Sequence, residues 1–176
     1  MSGALTIPVL ETERLRLRGF READLDPFAE FCASEALTRF IGGTSDRGGT
    51  WRRIALYFGH WLLRGYGHWA IEEKASGRFA GYTGLWNPEG WPEPEVIWGL
   101  HGYAHGRGYA TEAARRVRDY AYRELGWHTA VSFIASENLP SQRVAQRLGA
   151  TYERDMKLIV TTAGVYRHPG PESLNR

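Results

Sequence analysis

An α+β layer fold in one domain is what this sequence predicts, and three observations carry the prediction. Segments with strand and helix periodicity follow one another irregularly, as strand, two helices, three strands, helix, strand, helix and two strands. A doubly wound parallel sheet would alternate them regularly. Two of the strands are joined through a short turn at Ala75-Ser76-Gly77-Arg78, a connection whose length marks an antiparallel hairpin. Finally, 176 residues and 19.9 kDa suit a single core that buries about two-thirds of the surface an unfolded chain exposes.

The first strand is Arg14 to Arg18, where Arg and Leu alternate with period two and turn Leu15 and Leu17 inward. Glu22, Ala23 and Asp24 then lead into Leu25, Phe28, Phe31 and Cys32, whose spacing is helical with acid near the start. A second helix carries Trp51, Ile54, Tyr57, Phe58 and Trp61 and ends at Gly65 and Gly67. His68 to Glu72 and Phe79 to Trp86 form the hairpin, and the three prolines within Asn87 to Pro94 make that segment a loop.

Glu95 to Leu100 is the fourth strand, and the turn His105 to Ala110 leads into a helix whose apolar face is Ala113, Ala114, Val117, Tyr120, Ala121 and Leu125. On its solvent side Glu112 with Arg116, and Asp119 with Arg123, sit at ion-pair spacing. Thr129 to Ala135 is the fifth strand. A short helix from Pro140 buries Val144, Ala145 and Leu148 and ends at Gly149. Thr151 to Tyr166 is expected to be a final strand pair turning around Thr162-Ala163-Gly164. The domain spans 1–176, with 1–9 and 169–176 expected as flexible tails.

The charge balance narrows the partners. Lys and Arg number 22 against 20 Asp and Glu, a formal charge of +2 that lacks the basic field of a nucleic-acid binder. No apolar stretch is long enough to span a membrane, and Met1 to Leu10 lacks the pattern of a secretory signal. A single cysteine, Cys32, reads as a small buried apolar residue in a reducing compartment. A cytoplasmic protein is the expectation. His101 and His105 lie in a strand-to-turn segment where a spacing of four does not share a helical face, so no metal is predicted.

The turn His105-Gly106-Arg107-Gly108-Tyr109-Ala110 points to chemistry. A strand running through two glycines into a helix aims unpaired N–H groups and the positive end of a helix dipole at one spot, which suits an anion. It is not a Walker A loop, because no Gly-Lys-Ser/Thr occurs, and Thr111 replaces the third glycine of the dinucleotide fingerprint. Alone, the two glycines would serve a plain tight turn equally well.

Four segments together resemble the GNAT superfamily of acetyltransferases, nearest its branch of ribosomal-protein N-terminal acetyltransferases of the RimJ and RimL kind. They are Thr12 to Arg18, His105 to Ala113, Asn138-x-x-Ser141 continued by Arg143, Val144, Leu148, Gly149 and Ala150, and Gly164-Val165-Tyr166. The resemblance covers nearly the whole chain. It implies a mixed, mostly antiparallel sheet of about six to seven strands with about four helices, and a donor cleft where the fourth and fifth strands splay apart. It departs from the pattern at His105, where the family often has Gln or Arg. His105 itself reads as turn or surface.

By that resemblance the donor is acetyl-CoA. Amides from Gly106, Arg107, Gly108, Tyr109 and Ala110 would hold its pyrophosphate, with the flanking His105 and Thr111 also counted as donor-binding. Trp98, Gly99 and Leu100 at the splayed strand end, with Asn138, Ser141 and Arg143, would meet the pantetheine arm. The amine acceptor must lose a proton before attack. Glu95, on the strand feeding the loop, is the expected base, with Glu93 in reserve and a surface role for Glu95 the alternative. The family tyrosine that protonates the leaving thiolate falls at Ala145, so Ser141 is the expected acid, although a serine in a first helical turn also commonly caps. Tyr166 is a further option. Trp86, Trp91 and Glu93 are candidates for acceptor binding, Glu89 and Glu93 being placed to draw a cationic amine, and a homodimer is possible. The competing reading is a non-catalytic acyl-CoA-binding module of the same fold.

Overall fold

A computed structural model of the chain describes residues 5–158 and 161–175. Its eight strands form one sheet in the order β1-β2-β3-β4-β5-β6-β8-β7, which makes the expected α+β fold. The strands are β1 (Leu10–Glu11), β2 (Leu15–Arg18), β3 (His68–Glu73), β4 (Phe79–Trp86), β5 (Glu95–Leu100), β6 (Val131–Ile134), β7 (Thr151–Lys157) and β8 (Thr162–Arg167). The helices are α1 (Leu25–Ala33), the single turn α2 (Glu35–Thr38), α3 (Arg47–Arg64), α4 (Tyr109–Arg123) and α5 (Leu139–Arg147). Every neighbouring pair runs antiparallel except β5 with β6. The expected fourth and fifth strands are therefore β5 and β6, because the short β1 adds one at the edge.

Both faces of the central strands are covered, and the sequence pattern explains how. Leu15, Leu17, Ile71, Leu85 and Val96 pack against the small-residue stripe Ala110, Ala113, Ala114, Val117 and Ala121 of α4. The alanines let this helix sit close to the sheet. On the opposite face Phe20, Phe28, Phe31, Tyr57, Phe79 and Tyr82 pack together beneath α1 and α3. Arg18 lies on this second face and stays buried, because its guanidinium bonds Asp24 through two nitrogens at 2.7 and 2.9 Å and Glu72 through Nε at 2.7 Å. Breaking such a buried pair from one side would cost about 3–5 kcal/mol.

Three expectations need correction. Thr162-Ala163-Gly164 does not turn; these residues open β8, and the reversal falls between Lys157 and Thr162, with 159–160 outside the described residues. Of the expected tails, residues 1–4 and 176 lie outside the described residues, and the described parts are fastened down. Trp69 Nε1 donates to the Pro8 carbonyl at 2.8 Å, Ile7 and Leu174 pack on the main core, and Tyr122 Oη donates to the Pro169 carbonyl at 2.9 Å. Finally, Glu112 pairs with Arg14 at 2.6 Å instead of Arg116, and Asp119 with Arg118 at 3.4 Å instead of Arg123. A tertiary partner takes Glu112 and the adjacent residue takes Asp119, since i, i+4 pairs are worth only about 0.2–0.5 kcal/mol each. Among the described residues no helix is long and apolar enough to cross a membrane.

Candidate active site

The parallel strands β5 and β6 align at one position, Glu95 beside Val131, where Val131 N–H donates to the Pro94 carbonyl at 3.0 Å. Beyond it they part, and side chains replace the missing ladder. Ser132 Oγ donates to the Val96 carbonyl at 2.6 Å, and the Phe133 N–H donates to Glu95 Oε1 at 3.1 Å. His168 Nε2 lies 3.0 Å from Ser132 Oγ. Since the serine proton is committed to Val96, the imidazole must donate through Nε2. Burial and the nearby Arg118 hold this histidine down to about 3, so it is a neutral wedge under the splay.

Glu95 faces the α1 and α3 side with Ile97 and Gly99, and it is buried. Its second oxygen accepts from Trp91 Nε1 at 3.0 Å, and the Trp91 ring meets Phe133 edge-on at 5.9 Å. Burial pushes the carboxyl up to about 8, against the opposing pull of the Phe133 and Trp91 donors. Hence Glu95 is mostly protonated at neutral pH and can exchange a proton near it.

This carboxyl opens into a cleft of about 1000 Å³ between the splayed strands. One wall is aromatic, with Tyr57 stacked on His68 at 3.8 Å and 5°, and Tyr82 and Trp86 beside them. The other wall includes Asn138 and Ser141. Asn138 is the N-cap of α5, its Oδ1 accepting from Ser141 N–H at 3.3 Å, so its amide nitrogen is left to serve the cleft. On β5, Ile97 and Gly99 bond toward β4, which leaves the backbone groups of Trp98 on the edge facing the gap. Gly99 is required for another reason: a Cβ there would lie 2.5 Å from the Tyr82 ring.

At the far end of β5 lies a groove of about 730 Å³ over the start of α4. Gly106 and Gly108 adopt φ of 74° and 80°, which only glycine takes without strain. Among the described residues no protein acceptor takes the N–H of Gly106, Arg107, Gly108, Tyr109, Ala110 or Thr111; the first helical bond runs from Glu112 N–H to the Gly108 carbonyl. These six amides, at the positive end of a fifteen-residue helix, form a concavity suited to an anion. The Thr111 hydroxyl is buried there without a partner.

The groove is braced from the turn between β1 and β2. Arg14 Nη1 donates to the Arg107 carbonyl at 2.9 Å while its Nε donates to Glu112 at 2.7 Å. Thr12 Oγ1 also donates to Glu112, at 2.7 Å. The Tyr109 ring points inward, its hydroxyl donating to Glu73 at 2.6 Å, and Arg107 pairs with the same carboxylate. These two residues can offer the groove only their amides.

The expected site residues thus divide. Glu95, Trp86, Trp91, Trp98, Asn138 and Ser141 all line the cleft, and Gly106, Arg107, Gly108 and Thr111 line the groove. Four do not belong where they were expected. Leu100 is buried and its carbonyl accepts from His105 Nε2 at 2.9 Å, which makes His105 a turn brace and leaves neither free for a donor. Arg143 is exposed on α5 and lines neither cavity, because its helical position turns outward. Glu93 pairs with Arg154 at 3.1 Å and Arg167 at 2.7 Å, away from the cleft. Sequence reasoning missed Arg115, Arg116 and Arg147 along the groove, although the adjacent arginines about two turns into α4 were a readable sign, and it missed Arg39 and Arg53 in the cleft. Among the described residues no three His, Cys, Asp or Glu side chains gather to hold a metal ion.

Known proteins share this arrangement. Residues 14–151 match the acetyltransferase (GNAT) domain family. An acetyltransferase from Agrobacterium tumefaciens with a crystal structure is 33% identical, with a TM-score of 0.85 over 96% of this chain and 98% of that one. The uncharacterized protein YkkB of Bacillus subtilis is 29% identical over 157 residues, 84% of this chain and 88% of its own length. RimL, a ribosomal-protein α-N acetyltransferase solved with coenzyme A, is 16% identical and shares the fold at a TM-score of 0.79, over 93% of this chain and 99% of that one. On a match that runs through β2, the anion-binding turn and α5, this chain belongs to the GNAT acetyltransferase family.

Proposed function

We propose that the protein transfers the acetyl group of acetyl-CoA to a primary amine, with donor and acceptor bound together. The observation that carries this reading is the run of six unaccepted amides from Gly106 to Thr111 beside a cleft opened by the parting of β5 and β6. The amides fit a pyrophosphate, and Arg115, Arg116 and Arg147 fit further phosphate charge along the same groove. The Trp98 backbone and the Asn138 amide fit the amides of a pantetheine arm. Acetyl-CoA supplies a thioester, whose acyl C–S bond breaks as the amine nitrogen bonds the carbonyl carbon.

The residues of this chain would manage the protons. Glu95, pushed up to about 8, is matched to an α-amine near 8, so proton transfer between them is close to balanced. A lysine-type amine near 10.4 would give up its proton about two units less readily. Ser141, which lines the cleft in the first turn of α5, would pass a proton to the departing thiolate. The Trp91 indole and the Phe133 N–H each donate to one oxygen of the Glu95 carboxyl, which supports its fixed orientation at the cleft.

Two further features belong to this proposal. Cys32 is buried and free, which suits a reducing compartment and a cytoplasmic enzyme. Trp51, Leu62 and Leu63 stand exposed on α3 and support pairing of two copies. The test of the function is acetyl-CoA-dependent thiol release across a panel of peptides, aminoglycosides and small amines, alongside calorimetric binding of acetyl-CoA. Turnover on at least one amine is expected. Tight donor binding with no turnover on any acceptor would assign the non-catalytic acyl-CoA-binding module instead.

A further inference from the structure

The acceptor end of the cleft carries positive charge without a counter-ion. Arg53 projects from α3 into the cleft beside Tyr57 and Tyr82 and is half-buried. Its Nη1 donates to the Cys32 sulfur at 3.8 Å, and among the described residues no carboxylate lies within ion-pair distance. Arg39 lies over the Phe40 ring at 4.3 Å on the same rim and is likewise unpaired. Arg18 and Arg118, which are buried, and Arg167, which is half-buried, are matched: Arg18 by Asp24 and Glu72, Arg118 by the Leu148 carbonyl and Asp119, Arg167 by Glu93 and Glu153. A guanidinium withdrawn from water and left single is costly unless a ligand completes it.

The surroundings supply no substitute. The ring of His68 beside Arg53 is held neutral by burial, as is that of Tyr57. Glu95 is largely protonated near neutral pH. Asp155 and Glu137 belong to the α5 and β7 end of the cleft. The two acids expected to draw a cationic amine are engaged elsewhere, Glu93 by Arg154 and Arg167, and Glu89 by Arg64 at 3.2 Å on the open surface. A polycationic acceptor would therefore meet like charge.

We infer that the acceptor is an amine that carries a carboxylate, held by the Arg53 guanidinium with Arg39 at the rim, while its organic body lies on the Tyr57, Tyr82 and Trp86 wall. The planar fork of arginine matches a carboxylate through two parallel hydrogen bonds, which fixes orientation as well as charge. This inference deepens the acetyltransferase reading and rests on it for the fate of the amine, but the carboxylate site can be tested without transfer.

The experiment has two arms on the full-length protein. In the first, thiol release is measured with phenylalanine, phenylalaninamide, phenylethylamine and the dipeptide phenylalanyl-aspartate. The expected result is kcat/KM at least about tenfold higher for a carboxylate-bearing member than for phenylalaninamide and phenylethylamine, with the preference collapsing in Arg53→Gln. Phenylalanine leading the dipeptide marks a free amino acid; the reverse marks a peptide N-terminus with an acidic second residue. In the second, 3-phenylpropionate and 3-phenylpropanol, which have no amine, are titrated into protein saturated with coenzyme A. The acid is expected to bind at least about tenfold tighter than the alcohol, and Arg53→Gln and Arg39→Gln to lose that margin, Arg53→Gln the more. Equal binding of acid and alcohol, or a margin untouched in Arg53→Gln while coenzyme A still binds, overturns the inference. A carboxylate margin without turnover on any amine leaves the carboxylate site standing and removes the transfer reading.

Discussion

At the proposed donor end six consecutive backbone amides are left without a protein acceptor, whereas the proposed acceptor end is lined by side chains brought from α3, β4, β5 and the loop before β5. The difference decides what each end tolerates. A backbone site asks its residues for a conformation, so His105 can stand where relatives often have Gln or Arg and still serve as a brace on the Leu100 carbonyl. A side-chain site asks for identities, and a single replacement there removes a charge or a proton carrier.

The sharpest way to break this comparison is Gly108→Val. Its φ of 80° excludes a β-branched residue, so acetyl-CoA affinity should fall about a hundredfold by calorimetry. Affinity within threefold of the parent would mean that the turn does not hold the donor. Next comes Glu95→Gln, expected to lower kcat about a hundredfold or more. The parent kcat should climb with pH through about 8 as Glu95 ionises, and the variant should lose that limb. A shared profile would hand the base role to water.

Two buried groups also set opposite stability slopes. Glu95 is raised from 4.5 to about 8, so its contribution is full below 4.5 and is lost as pH rises through 8. His168 is depressed from 6.5 to about 3, so its contribution is present above 6.5 and is lost as pH falls toward 3. The slopes oppose one another between 4.5 and 6.5. From 6.5 to 8 the parent should lose up to about 1.4 kcal/mol per pH unit in urea unfolding, while Glu95→Gln stays nearly level. Parallel curves would show that Glu95 is not held protonated by the fold. The smallest effect is expected at Ser141→Ala, a roughly tenfold fall in kcat with donor affinity retained, since removing a proton donor leaves the binding contacts in place. An unchanged kcat would leave Ser141 as a first-turn residue of α5 and nothing more.

The same contrast explains how much could be read from the chain. Glycine spacing before the α4 stripe is local, so the turn, its helix and the donor it suits were legible, as were β5 and the burial of Leu15 and Leu17. The place of Glu95 in the cleft was legible because it sits at the start of the strand that feeds the turn. Glu93, two residues earlier, was misread, because its partners Arg154 and Arg167 lie 61 and 74 residues downstream and no local pattern announces them. Arg53 was hidden for the reverse reason. Its meaning comes from a missing partner, and an absence across α3, β4 and β5 has no spacing in sequence.

The clasp of Arg14 on Glu112 and the Arg107 carbonyl has an implication for how this protein could be divided. A fragment starting after β2 would contain the whole glycine turn, all of α4 and every amide that faces the groove, yet it would present an uncompensated Glu112 carboxylate beside the place meant for an anion. Ninety-eight residues separate the two halves of that clasp. Donor affinity is therefore a report on chain completion: the coenzyme would be accepted only by a molecule whose first strand has already found its place.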